Sequence, residues 1–455
     1  MQVIASIVNK NKATNFFYCF FLICLLCLLP YWLAYYPACM TSDSYSQWNQ
    51  ALNQEALSDS HPVFYTLLIR SLVNIWQSYG VVIFFNIILF AYVFSSILAY
   101  FHKKGISLWY LIALNFIFFL SPTNGRMLVT FWKDITYAIG ILMLTFLFVK
   151  IILDKTAYTN GKRFLYEILF AYILILNTRH NGILVVLGCS VLLFFLLKKQ
   201  RKKLAIIWAM VILLISINWL ATYSVFKATK GWYTFDHILI RHLSSYLVQN
   251  KLSTQEERVF VKIMPKEEWM KSYSPWTHDG YAFGAYGTNY RNDVPTYKDE
   301  IRSLFLKKLL NDPRTFWLSE KNITQLIWRP FGVRGSYLNT YATDCGLGSN
   351  LQIRQLLDKI TTVTNSNERP FYTRYIFWSG ATYNVFIVIL LMAFLYVQQL
   401  KNIFVFVPTV LNNFSLAIAV TAQEFRYVYS SVMIMPLILL FLCIQFSFLK
   451  RLVVK

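Results

Sequence analysis

The stretch Met40-Thr-Ser-Asp-Ser-Tyr-Ser-Gln-Trp-Asn49, continued by Ser60-His-Pro-Val-Phe-Tyr-Thr-Leu-Leu-Ile-Arg70, decides how the rest of the chain is read. It follows an apolar run that ends near Tyr36 and sets one carboxylate, Asp43, among small hydroxyl side chains. After His61-Pro62 the chain turns apolar again. A carboxylate at the mouth of a membrane segment is costly, and such groups are usually functional. The run before it, behind Lys10 and Lys12, lacks a small-residue cleavage site and reads as an uncleaved first helix.

Composition sets the class. The chain has 455 residues, 57% hydrophobic and only 14% charged. Soluble domains carry about 25% charged residues, so the sequence predicts an all-α polytopic membrane protein. A net charge of +22 would suggest nucleic acid in a soluble chain. Here the lysines and arginines gather in short segments between apolar runs, as cytoplasmic loops do, and no nucleic acid is implied. No zinc-type Cys/His spacing, phosphate-binding loop or Gly-rich dinucleotide turn occurs, which argues against a nucleotide-driven pump or a dehydrogenase. Cys19, Cys24, Cys27, Cys189 and Cys443 lie in apolar runs and serve as small hydrophobes. Cys39 and Cys345 alone would face outward; a bridge between them is open, though nothing in the sequence demands it.

At roughly 20 apolar residues per span, the pattern predicts about ten transmembrane helices, near 15–36, 80–101, 107–121, 127–149, 165–178, 181–197, 204–226, 376–398, 403–421 and 427–449. Residues 63–76 are apolar but short, and read as a helix lying along the interface. With both termini cytoplasmic, the inside segments collect 17 lysines and arginines, against Arg70, Arg126, Lys133, Arg179 and Arg426 on the short outside loops and helix ends. That asymmetry sets the orientation. The chain then divides into an N-terminal membrane module, 1–226, whose first outer loop spans 37–80, an extracytoplasmic domain, 227–375, and C-terminal membrane helices, 376–455. Within the inserted domain, 255–271 and 296–310 have helical spacing, so it is α-rich. The aromatic, turn-rich stretch 274–287 has a composition that suits a sugar face, though such loops more often pack on their own domain.

This topology puts the unusual polar groups on one side. Asp43 and His61 share the first outer loop, and Lys133-Asp134 follow Arg126 by about two turns. Asn177-Thr-Arg-His-Asn-Gly182 makes a tight outer turn, and Gln423-Glu-Phe-Arg-Tyr427 opens the last helix. Any one of these reads plainly as a helix-end charge or ion pair, such as Glu424 with Arg126. The whole set reads as a shared polar cavity, because buried charges need partners.

The same residues resemble the GT-C superfamily of membrane glycosyltransferases, especially the bacterial relatives of protein O-mannosyltransferases and of aminoarabinose-lipid A transferases. Ser42-Asp43-Ser44 and His61-Pro62 through Leu68 resemble the acid-bearing first outer loop and the His-Pro that follows it. Trp132-Lys133-Asp134 resembles the second acidic site, Thr178-Arg179-His180-Asn181-Gly182 a Thr-Lys-Gly-Pro-like turn, and Arg426-Tyr427 the Arg-Tyr of a late helix. The similarity runs through 15–226 and 376–449, departing at His61, which one proline follows where the family often has two, and leaving 227–375 without a counterpart.

The resemblance implies transfer of a sugar from a polyprenyl-phosphate donor to a cell-envelope acceptor (glycan, lipid or protein) at the outer face of the plasma membrane. Asp43 and Asp134 would be the catalytic carboxylates, Asp43 as the base in an inverting displacement, which needs a single carboxylate base. His61, Lys133, Arg179, His180 and Arg426 would bind substrate, the cations opposing the charge that grows on the departing phosphate. A divalent cation joining Asp43 to Asp134 is the one cofactor the resemblance leaves open. A transporter or flippase, and a polymerase or ligase of lipid-linked saccharides, are the competing classes.

Overall fold

The computed structural model describes residues 2–331, 351–365 and 371–446. Cys345 and the end of the last predicted helix lie outside them. Among the described residues the chain is helical, with three isolated bridges in place of any sheet.

The N-terminal helices are α1 (Gln2–Ala34), α2 (Ser42–Ala51), α3 (Val63–Val73), α4 (Gly80–Lys103), α5 (Leu108–Leu120), α6 (Pro122–Leu128), α7 (Lys133–Thr159), α8 (Lys162–Leu176), α9 (Gly182–Leu196) and α10 (Arg201–Leu220). Among the described residues six segments are long and apolar enough to cross a membrane: Asn15–Ala34, Gly80–Lys103, Lys133–Lys155, Lys198–Val225, Leu400–Ala419 and Phe425–Gln445. A seventh is reached if α5 and α6 form one span, bent by 71° where they meet. The bend falls at Ser121, which is held extended, as a residue before proline prefers.

Among the described residues this is fewer than the expected count of about ten. Three of the expected spans, 165–178, 181–197 and 376–398, form helices of 15 residues (α8), 15 residues (α9) and 17 residues (Gly380–Tyr396). These fall short of the roughly 20 residues a span needs.

α7 is the axis of the fold. Its apolar window is 94% buried, because its faces are covered by α4, α8 and the helices Val407–Ala419 and Phe425–Met433. α1 and α10 lie at the periphery and leave large apolar side chains such as Leu22, Leu26, Leu213 and Trp219 exposed, as helices facing hydrocarbon do. A second apolar cluster, from Leu239 to Leu304, forms its own core around Phe260, Trp269, Tyr281 and Tyr290. Its helices include Thr254–Val261 and Lys266–Ser272, separated at Pro265, and Lys298–Asn311. The helix Leu351–Asn365, from the same inserted stretch of sequence, packs instead against α1.

Candidate functional site

The polar stretch after α1 is not a loose loop. Thr41 caps α2, its hydroxyl facing the backbone N–H of Ser44 while the Ser44 hydroxyl accepts from the N–H of Thr41. Asp43 sits in the first turn, where the helix dipole favours a negative charge. Arg70, one of the predicted outer arginines, reaches back from α3 to cap the other end, donating to the carbonyls of Gln50 and Ala51.

The cap is stitched to the start of α7. Trp132 Nε1 donates to Thr41 Oγ1 at 2.9 Å, and Ser44 Oγ donates to the Phe131 carbonyl at 2.6 Å. Cys39 and Phe131 exchange backbone hydrogen bonds with Val129 and Cys39 at 2.9 and 2.8 Å. Asp43 is thereby held beside Lys133-Asp134, about 90 residues further along the chain.

Six of the predicted site residues converge. Arg426 Nη1 lies 2.7 Å from Asp43 Oδ2 and 4.0 Å from Asp134 Oδ2, and Arg426 Nε pairs with Glu424. Arg179 Nε is 3.2 Å from Asp134 Oδ1, and its guanidinium stacks between the rings of Tyr137 and Tyr427. Lys133 Nζ donates to His61 Nδ1 at 2.9 Å, and His61 Nε2 lies 4.0 Å from Asp43 Oδ1. With Nδ1 accepting, the ring proton belongs on Nε2, turned toward Asp43. Three cations and three carboxylates thus share one pocket, and Lys133 is the one cation with no carboxylate in ion-pair contact among the described residues.

The two aspartates are not equivalent. The Asp43 side chain keeps 32% of its surface exposed, whereas Asp134 keeps 1%. Asp134 is thus enclosed and paired with Arg179, while Asp43 is the more open of the two. Glycine shapes the turn that brings Arg179 in: a Cβ at Gly182 would stand 2.5 Å from the Ile175 carbonyl, so only glycine lets α8 and α9 approach so closely.

Two expectations change. Arg126 does not pair with Glu424; it meets Asp358 at 3.1 Å and stacks on Tyr35. His180 does not join the cluster directly. Its Nε2 lies 3.1 Å from the Asp59 carbonyl and 3.6 Å from Asp59 Oδ1, which ties the α8–α9 turn to the first loop. Tyr223 donates to the other Asp59 oxygen at 2.5 Å.

Sequence reasoning missed Asp59, and also Asp279, whose carboxyl is raised by burial and lies within electrostatic reach of Arg426 and Asp43. Asp279 was hidden in a turn-rich stretch that now serves as a clamp. Trp276 accepts from the N–H of Gln423, and His278 Nδ1 lies 2.9 Å from the Thr421 carbonyl. Arg241 donates to the Val420 carbonyl at 2.5 Å. The segment carrying Glu424 and Arg426 is therefore held by the second core. In the same stretch Tyr281 is buried, while Phe283 and Tyr286 stay exposed.

Electrostatics follow from this packing. Burial alone would raise the Asp43 carboxyl, but Arg426, Lys133 and His61 together outweigh it and hold it below the usual carboxylate range. Burial, helped by Lys133, pulls His61 down to about 3. Burial pushes Glu424 above its ordinary value against the pull of Arg426. A depressed group binds fewer protons folded than unfolded, so its contribution to stability is complete above the unfolded pKa and is lost as pH falls through that window. For His61 the window runs from 6.5 down to about 3. We expect the melting temperature to fall on acidification across it, and His61→Gln to flatten that slope in thermal unfolding between pH 6.5 and 4; an unchanged slope would exclude His61 as the source.

A divalent ion does not fit between the two aspartates. The Arg426 guanidinium stands there, and among the described residues no group of three or more His, Cys, Asp or Glu side chains is placed to hold a metal. No family model, curated protein or solved structure matches this chain.

Proposed function

We propose that the protein transfers a sugar from a polyprenyl-phosphate-linked donor to an acceptor of the cell envelope. The reading rests on one observation: a partly open carboxylate, Asp43, stands against Lys133, His61 and Arg426 at one end of the apolar helices. That is the charge layout a displacement at an anomeric carbon needs, a base on one side and cations for a leaving phosphate on the other.

In this reading the acceptor hydroxyl attacks the anomeric carbon as its proton passes to Asp43. The bond from sugar to phosphate oxygen breaks, and its electron pair stays on the lipid phosphate. Lys133, which among the described residues has no carboxylate in ion-pair contact, and Arg426 take the growing charge, with Arg179 behind them balancing Asp134. Arg426 then has a second effect. While it pairs with Asp43 the carboxylate is a weak base. A donor phosphate drawing Arg426 toward itself frees Asp43, so the base becomes effective only when the donor is in place.

The finer topology belongs to the same reading: about ten membrane helices, both termini cytoplasmic, the site extracytoplasmic, and 227–375 outside. A translocation path is less well supported. Among the described residues, the polar side chains that α7 buries between Asp134 and Lys150 are Thr136, Tyr137 and Thr145, each bonded within the protein, to Asn86, Asn412 and the Ile141 carbonyl. Ile135, Ala138, Ile139, Ile141 and Leu142 lie among them. The test is mass spectrometry of surface glycans and glycolipids from cells with and without the protein. A product lighter by one sugar unit in its absence is the expected result; identical profiles would defeat the proposal.

A further inference from the structure

A second polar group lies far from Asp43, at the other end of α7. Lys150 follows Lys133 by 17 residues, or about 26 Å of helix. A cavity of about 260 Å³ opens there between α4, α7 and α8. The Lys150 side chain is only 8% exposed, with Nζ 2.5 Å from Glu167 Oε2 and 4.5 Å from the ring centres of Phe146 and Tyr158. Tyr158 donates to the same Glu167 oxygen at 2.5 Å.

A buried ion pair would account for Lys150 and Glu167 alone. It does not account for Arg163, which gives Nε to Glu167 Oε1 at 2.8 Å while its side chain remains 73% exposed. Two cations on one carboxylate leave the crevice net positive. Its mouth is rimmed by the exposed rings of Tyr92, Tyr166 and Phe170, which suit hydrocarbon and not water. Lys103, Lys155 and Lys162 add positive charge at the same end. Basic pockets between membrane helices are where acidic headgroups settle.

We propose that this crevice binds an anionic phospholipid, its phosphate against Arg163 and the Lys150–Glu167 pair and its chains running out past Tyr92 and Phe170. The volume lies below the roughly 300–1,000 Å³ of pockets that enclose a whole ligand, so the crevice takes the headgroup and leaves the chains in the bilayer. The inference is independent of the proposed transfer reaction.

The test uses the full chain, purified in neutral detergent and titrated with phosphatidylglycerol or phosphatidylcholine, with retention read by native mass spectrometry and stability by thermal unfolding. Phosphatidylglycerol should be retained and should raise the melting temperature, and phosphatidylcholine should do neither. Arg163→Gln removes a largely exposed side chain and leaves the Lys150–Glu167 pair in place, and should weaken phosphatidylglycerol binding about tenfold, the scale of one charge-assisted hydrogen bond. Lys198→Gln with Lys199→Gln, basic residues between α9 and α10, should leave binding unchanged. Equal retention of the two lipids, no effect of Arg163→Gln, or an equal loss in the lysine variant would each overturn the site. Displacement of phosphatidylglycerol by an equimolar polyprenyl phosphate would overturn the choice of ligand.

Discussion

Asp43→Asn is expected to lower sugar transfer at least ~100-fold, the usual scale for losing a general base, while the protein still folds and reaches the membrane. The amide is nearly isosteric, still accepts from Arg426, and keeps the first turn of α2 capped by Thr41. What it lacks is the capacity to take a proton from the acceptor. The measurement is product formation per mole of folded protein, in cells or with a purified polyprenyl-phosphate sugar. Turnover near that of the native chain would remove Asp43 from the reaction. Asp134→Asn should behave differently. Asp134 is enclosed and balances Arg179, so its loss should show in thermal stability as well as in rate.

Replacement of Arg426 should have the second large effect, and it has two parts. Arg426 meets Asp43, Glu424 and Asp134 from an almost enclosed position. Arg426→Ala strands those carboxylates, and breaking a buried pair by removing one partner costs about 3–5 kcal/mol. Poor folding alone would therefore say little. The double variant Arg426→Gln with Glu424→Gln removes one charge of each sign and should restore most of the stability. Transfer should stay down about tenfold or more, because a phosphate loses a charge-assisted bidentate partner. Arg426→Lys should fall between, since an ammonium keeps the charge but not the fork. A double variant that is both stable and fully active would reduce Arg426 to a structural ion pair.

How much of this was legible beforehand differs from residue to residue. Asp43, His61, Lys133, Asp134, Arg179 and Arg426 stood out because each is a charged or titratable side chain beside an apolar run, where its presence must be compensated. Sidedness brought them to one end of the helices. Partner choice could not be read that way. Arg126 and Arg426 lie in similar sequence surroundings, yet one meets Asp358 and the other Asp43. Asp59 and Asp279 sat in polar stretches that carry no such signal, and only packing showed what they face.

By itself, then, the sequence determined the all-helical class, the apolar segments fit for a bilayer and the set of charges that needed partners, because composition and the period of apolar residues depend on neighbours along the chain. Tertiary structure alone decided the rest. It capped α2 and stitched it to α7, making a predicted loop a rigid mount for Asp43, and it enclosed Asp134 while leaving Asp43 partly open. It also set Arg426 between the two aspartates and held the segment before it with Arg241, Trp276 and His278 from the second core. These outcomes hang on contacts between residues tens to hundreds of positions apart, and the pairing of buried charges is settled by which helices pack together, a choice that no local pattern encodes.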